Sequence, residues 1–120
     1  MKHRPYIVVV VLEAKQGKEA ELQAALEKVT VLSRAETTNI EYRLHKIADN
    51  PLAIEKLNEI SFVRQTEKQS CQKFVLYEIW ESQEKHALQL EKSYIEELGG
   101  KLKNLLAKPY DIYYGEEILI

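Results

Sequence analysis

The stretch Phe74-Val75-Leu76-Tyr77-Glu78-Ile79-Trp80-Glu81-Ser82 decides how the rest of the chain is read. Up to Trp80 it is aliphatic or aromatic apart from Glu78, as expected of a strand covered on both faces. Ser82 then offers a side-chain oxygen to the first turn of a following helix. A strand that runs straight into a capped helix, late in a chain of 120 residues, is the start of a β-α-β ending.

Upstream, Tyr6-Ile7-Val8-Val9-Val10-Val11-Leu12 is a second continuous apolar run and predicts a buried strand over 6–13. Gly17 closes a short turn, and a helix follows from about Lys18 to Arg34. Leu22, Ala25, Leu26, Val29 and Leu32 fall at helical spacing and make one apolar stripe. Glu19 and Glu21 near its start, and Lys28 and Arg34 nearer its end, suit the helix dipole. After the polar break Thr37-Thr38-Asn39, Ile40, Tyr42 and Leu44 alternate with Glu41, Arg43 and His45. Such alternation marks a strand with one face on a core and one facing something wetter.

Downstream, Ser93-x-x-Glu96 is a capping-box pattern inside the helical region, which predicts two helical pieces meeting near Ser93. Ile95, Leu98, Leu102, Leu105 and Leu106 form the buried stripe of the second piece. Gly99-Gly100 weakens it by about 1 kcal/mol per glycine relative to alanine. Pro109 stops it, and Tyr110, Ile112 and Tyr114 alternate in a last strand. The order β-α-β-β-α-β specifies an α+β, ferredoxin-like fold with an antiparallel sheet, as one domain over 1–120. An insertion at about 48–73 separates the second and third strands, long for a small domain. In it, Asp49-Asn50-Pro51 reads as a cap with proline at the first helical position, opening a short helix to Asn58. Ile60-Ser61-Phe62-Val63 has the residue types of an added strand.

Bulk properties exclude several function classes. With 17 Lys and Arg against 19 Asp and Glu the formal charge is −2, and the signs are interspersed. No basic footprint for nucleic acid and no polybasic membrane patch results. Lys2-His3-Arg4 before the first apolar run mimics a leader, but Glu13 and Lys15 follow at once and no small-x-small cleavage site appears. Cys71, the single cysteine, reads as a loop thiol and favours a reducing compartment, so a cytoplasmic location is expected. His3, His45 and His86 lack metal-ligand spacing, so no metal site is expected.

Phe74–Ser82, together with Lys15-x-Gly-Lys18 after the opening strand and Tyr42 on the second, resembles the antibiotic-biosynthesis-monooxygenase (ABM) domain family, including its quinol-oxidising members. The resemblance covers nearly the whole chain outside 48–73. It implies a homodimer whose sheets pack into an α+β barrel, with a pocket between each sheet and its helices. It also implies monooxygenase chemistry on a small electron-rich aromatic or quinol-like ligand, without cofactor. Many members carry histidines on the helix nine residues after the strand tryptophan and five residues further on. Here those places hold Gln89 and Tyr94. With His86, one turn before Gln89, they are the candidate catalytic residues. Trp80, Tyr42 and Tyr77 are the candidate substrate-binding residues. The loss of both family histidines leaves a non-catalytic, dimeric binding module as the alternative.

Overall fold

The β-branched run near the start becomes the inner strand that holds the sheet together. In the computed structural model, which describes residues 4–48, 51–64 and 71–119, β1 (Tyr6–Glu13) has partners on both sides. It pairs antiparallel with β3 (Lys73–Trp80) and with β4 (Asp111–Glu116). β2 (Asn39–Lys46) adds to the far side of β3, giving the order β2-β3-β1-β4. The expected ferredoxin-like arrangement is therefore the one observed.

α1 (Glu19–Arg34), α3 (Gln83–Gln89) and α4 (Ser93–Leu105) supply the covering layer, while α2 (Pro51–Ile60) lies in the insertion. Gly17 permits the turn into α1 with a φ of 85°, which a side chain would strain. Ser82 Oγ accepts from Lys85 N at 3.2 Å and starts α3. The predicted break before Ser93 is present, but the cap is not: Lys92 is the N-cap residue and no side chain serves it. α4 ends at Leu105, short of Pro109, because the next residues bond the end of β1. Lys15 N donates to Leu105 O at 2.8 Å and Ala107 N to Glu13 O at 3.0 Å.

The core lies between the sheet and the helices. Val8, Val10 and Leu12 of β1 meet Phe74, Leu76 and Trp80 of β3, under Leu22, Leu26 and Val29 of α1 and Leu102 and Leu105 of α4. The alternation over 40–45 holds for Tyr42 and Leu44. Ile40 is instead exposed, because a register shift between Asn39 and Glu41 takes it out of the pattern. Arg34 Nε donates to Tyr42 O at 2.7 Å, occupying a backbone acceptor of the edge strand.

Two features keep the molecule from being spherical. Its extents are 44 × 40 × 20 Å, the thickness of one sheet and one helix layer. Its radius of gyration of 16.3 Å exceeds the roughly 13.6 Å of a compact domain this size. The helix predicted over 51–58 is present and runs on to Ile60. The added strand is not: Ile60 ends the helix and Ser61–Arg64 have no strand partner. β-propensity alone does not make a strand without a neighbour to pair with. The cap read at Asp49-Asn50 lies outside the described residues, as do Lys2 and His3.

Replacing Leu26, fully buried, by alanine should cost about 2–5 kcal/mol of unfolding free energy. Val31→Ala, on the same helix but 67% exposed, should change it by less than about 0.5 kcal/mol. Urea titration of both variants measures the contrast.

Candidate functional site

β3 puts Phe74, Leu76, Glu78 and Trp80 on the helix side of the sheet, so an acid sits in the row of core residues. Glu78 is only 4% exposed. Its Oε1 accepts the Trp80 indole N–H at 2.9 Å, and no other side chain hydrogen-bonds it among the described residues. Tyr42 faces it from β2 and Val8 from β1. Burial raises the Glu78 carboxyl to about 7, with the indole hydrogen bond opposing part of that rise. Tyr42 is held far above the usual phenol range, first by burial and then by the neighbouring carboxylate.

Around this acid lies an aromatic cluster. Trp80 meets Tyr42 edge-on at 6.5 Å between ring centroids, and His86 at 5.8 Å. His86 also packs on Tyr6 at 5.7 Å and on Tyr114 at 6.2 Å, and Tyr6 stacks on Tyr114. Burial lowers the His86 pKa, which keeps its imidazole neutral at pH 7 and able to accept a proton. Tyr114 is more than half exposed, so the cluster opens to solvent along β4.

A polar seam runs beside the cluster. Gln89 Nε2 donates to Ser33 Oγ at 2.7 Å, and Ser33 lies next to the Tyr42 hydroxyl. The Tyr94 hydroxyl donates to Glu36 at 3.1 Å, and Lys92 pairs with the same carboxylate at 3.7 Å. Burial raises the Tyr94 phenol above its ordinary value. Of the six sequence candidates, five lie on the helix side of the sheet, with Gln89 and Tyr94 joined to Tyr42 through the Ser33 hydroxyl. Tyr42 and Trp80 flank Glu78, and His86 lies on the far side of Trp80, against Tyr6 and Tyr114. Gln89 and Tyr94 tie α3 and α4 to the end of α1. Tyr77 lies on the opposite face of the sheet, since it alternates with Glu78. Glu78 was not among the candidates, although an acid in phase with Leu76 and Trp80 is a visible signal. Among the described residues no three His, Cys, Asp or Glu side chains group as metal ligands, and no helix is long and apolar enough to cross a membrane.

Residues 5–54 match the family model described as antibiotic biosynthesis monooxygenase, ABM. Over that stretch, less than half of the chain, the sequence is similar to this family. A putative antibiotic biosynthesis monooxygenase from Nitrosomonas europaea superposes with a TM-score of 0.74 at 17% identity, covering 98% of this chain and 94% of the other. A Pseudomonas aeruginosa protein gives 0.73 at 17% identity, covering 99% of both chains. A Bacteroides thetaiotaomicron protein of unknown function, described as a possible oxidoreductase, gives 0.69 at 15% identity, covering 96% of this chain and 99% of the other. At these identities the likeness establishes the fold. No curated protein matches the chain significantly.

The raised Glu78 value makes stability depend on pH in a defined direction. Protons bind this carboxyl more tightly in the folded state. Its contribution is therefore complete below about pH 4.5 and is lost as pH rises through about 7, on the order of 3 kcal/mol in all. Glu78→Gln keeps an oxygen for the indole and removes the titration. The difference in unfolding free energy between wild type and Glu78→Gln should therefore shift in favour of the variant between pH 5 and pH 8. An unchanged difference by urea unfolding at both pH values would show that Glu78 is ionised in the folded protein throughout.

Proposed function

We propose that the chain is an ABM-type monooxygenase that oxidises a small electron-rich aromatic or quinol with O₂, without a bound cofactor. The observation that carries this reading is the carboxyl of Glu78, shielded from water and tied to Trp80, whose ring packs on the neutral His86 beside the exposed Tyr114. The family match over residues 5–54 and the fold neighbours described as a putative monooxygenase and a possible oxidoreductase support it.

The chemistry asks little of the protein. A basic group takes the proton of a substrate hydroxyl, leaving an electron-rich oxyanion. A base with pKa near 7 is well matched to that transfer at neutral pH. The oxyanion gives one electron to O₂, and the resulting radical pair combines by forming a C–O bond. The peroxide recovers the proton from the base. Loss of water, with the remaining hydrogen on that carbon, leaves a carbonyl, so one oxygen atom enters the product and the other leaves as water. The protein contributes orientation, water exclusion and a proton holder.

The homodimer belongs to the same proposal. Ile7, Val9, Val11, Val75, Ile79 and Tyr77 line the sheet face away from the helices, and this face is only partly buried in the single chain. A contiguous apolar surface of that kind is what a second copy would cover. A second functional reading, a binding module of the same fold, is favoured by one observation. Gln89 and Tyr94, at the family histidine places, are engaged by Ser33 and Glu36.

Oxygen uptake with reduced quinones and polyphenols tests the enzyme. Glu78→Gln and His86→Gln should each lower kcat/KM by about 10²-fold. Absence of uptake across the panel, with ligand-dependent thermal stabilisation intact, would favour the binding module. For the dimer, Val9→Asp should shift sedimentation from two chains to one at micromolar concentration. A wild-type monomer there would refute the pairing.

A further inference from the structure

Four elements each send one polar side chain to the same seam. In α1, Ser33 continues the apolar face of Leu22, Leu26 and Val29 and is fully buried. Gln89 of α3 and Tyr42 of β2 are buried, and Tyr94 of α4 is half-buried. Aliphatic side chains would serve a core at these places. Buried polar groups persist only with their hydrogen bonds made.

The bonds here run in one direction. Gln89 Nε2 donates to Ser33 Oγ at 2.7 Å, and the same amide reaches the Tyr94 oxygen. With one lone pair so occupied, Ser33 keeps one to accept with and a hydrogen to donate. Its hydroxyl stands against the phenol oxygens of both Tyr42 and Tyr94. Tyr94 in turn donates to Glu36 Oε1 at 3.1 Å. Glu36 N donates to Ser33 O at 3.0 Å, so the turn that carries this carboxylate is tied to the serine. The Glu36 side chain is 24% exposed and pairs with Lys92, so the row of hydroxyls ends at solvent.

Its inner end is Glu78. Tyr42 and Glu78 are directly opposed across β2 and β3, on the helix side of the sheet. Side chains so opposed are neighbours, about 5 Å apart at Cβ. Trp80 lies between the carboxyl and His86, with Tyr6 and Tyr114 beyond. From β1, Val8 faces the acid and does not titrate. Arg34 of α1 is turned to the Tyr42 carbonyl at 2.7 Å. Among the described residues, Tyr42 is therefore the titratable group set against Glu78.

We propose that Tyr42, Ser33 and Tyr94 form a proton path between the buried Glu78 carboxyl and Glu36 at the surface, with Gln89 as the positioning residue that aims the Ser33 hydroxyl. One transfer moves one proton at each link. The Glu78 proton passes to the Tyr42 oxygen as the Tyr42 proton passes to Ser33, that of Ser33 to Tyr94 and that of Tyr94 to Glu36. Every hydroxyl ends with one hydrogen and no charge. Neither phenol has to ionise, which burial opposes. The oxygenase proposed above would use the path to ionise Glu78 before a substrate proton is taken. The inference rests on that reading for its purpose, but the path is measured without substrate.

Trp80 is the single tryptophan and hydrogen-bonds the acid, so its fluorescence reports the Glu78 proton. A light-triggered pH jump of the full chain from pH 8 towards pH 6 (protons released from o-nitrobenzaldehyde) should change Trp80 emission in a phase that is absent from Glu78→Gln. Ser33→Ala and Tyr94→Phe should each slow that phase by at least about tenfold. The midpoint of the equilibrium fluorescence titration should stay within about half a pH unit. Gln89→Leu, which leaves Ser33 free to turn, should slow the phase as well. Looser packing would act in the opposite sense, by letting water reach the acid sooner. An unchanged or faster phase in both Ser33→Ala and Tyr94→Phe overturns the path. Absence of any Glu78-dependent phase overturns it too, because the acid then exchanges no proton over this range. Acceleration of the wild-type phase in 1 M urea would also overturn it, by showing that the proton moves through local opening. A slowed phase in the variants without oxygen uptake by the wild type would defeat the oxygenase and leave the path standing. Uptake with an unslowed phase in the variants would do the reverse.

Discussion

Both crossover helices of a βαββαβ chain fall on the same side of its sheet, because each β-α-β connection is right-handed. Much else about this molecule follows from that constraint. It buries Val8, Val10 and Leu12 under helices and leaves Ile7, Val9 and Val11 only half-buried on the opposite face. It also means that α1, α3 and α4 must share the area of four strands. α1 lies against β2 and α4 lies against α1, so the helix-side surface of β4 is left uncovered. Ile112 and Tyr114 are exposed there although they point toward the helix layer. One side of the sheet thus asks for a partner and one edge of the other side offers a trough.

A buried carboxylate such as that of Glu78 is costly, and the structure lowers that cost with one indole hydrogen bond and by favouring the protonated form. A core assembled for stability alone has an inexpensive alternative at that position in any aliphatic residue. The acid therefore argues for function more strongly than the better hydrogen-bonded Gln89 does. Tyr42 and His86 sharpen the contrast, since one is kept a phenol and the other a neutral imidazole by the same dry surroundings. Opposite displacements of acid and base from their usual values are characteristic of sites that move protons.

How far the sequence disclosed this depends on which signal carried each residue. Periodicity served well where burial is one-sided. The 40–45 alternation assigned Tyr42 and Leu44 to the core face, and the α1 stripe named Leu22, Leu26 and Val29. In Phe74–Trp80 both faces are apolar, so composition could not say which face meets the helices. Parity could still have shown that Tyr77 and Glu78 are on opposite sides. Gln89 and Tyr94 entered by their place in a family pattern, and that place turned out to be a seam between helices. Ile60–Val63 looked like strand because residue preference was read without a pairing partner. Ser93 looked like a cap because the pattern matched, although the helix begins at it rather than after it.

The two glycines of α4 show why such departures from local preference are informative. Together they weaken the helix by roughly 2 kcal/mol relative to alanine. Neither faces an atom that a Cβ would strike. Close packing is thus excluded as their cause, and the two are not equivalent in place: Gly99 borders the groove between α4 and the start of β4 and Gly100 does not. At Gly99 the groove beside the helix is open, and a Cβ would meet nothing in it. At Gly100 nothing in the structure explains the glycine. A local cost acquires meaning only where the surrounding geometry makes use of it, as it does at Glu78 through the Trp80 indole and at neither glycine.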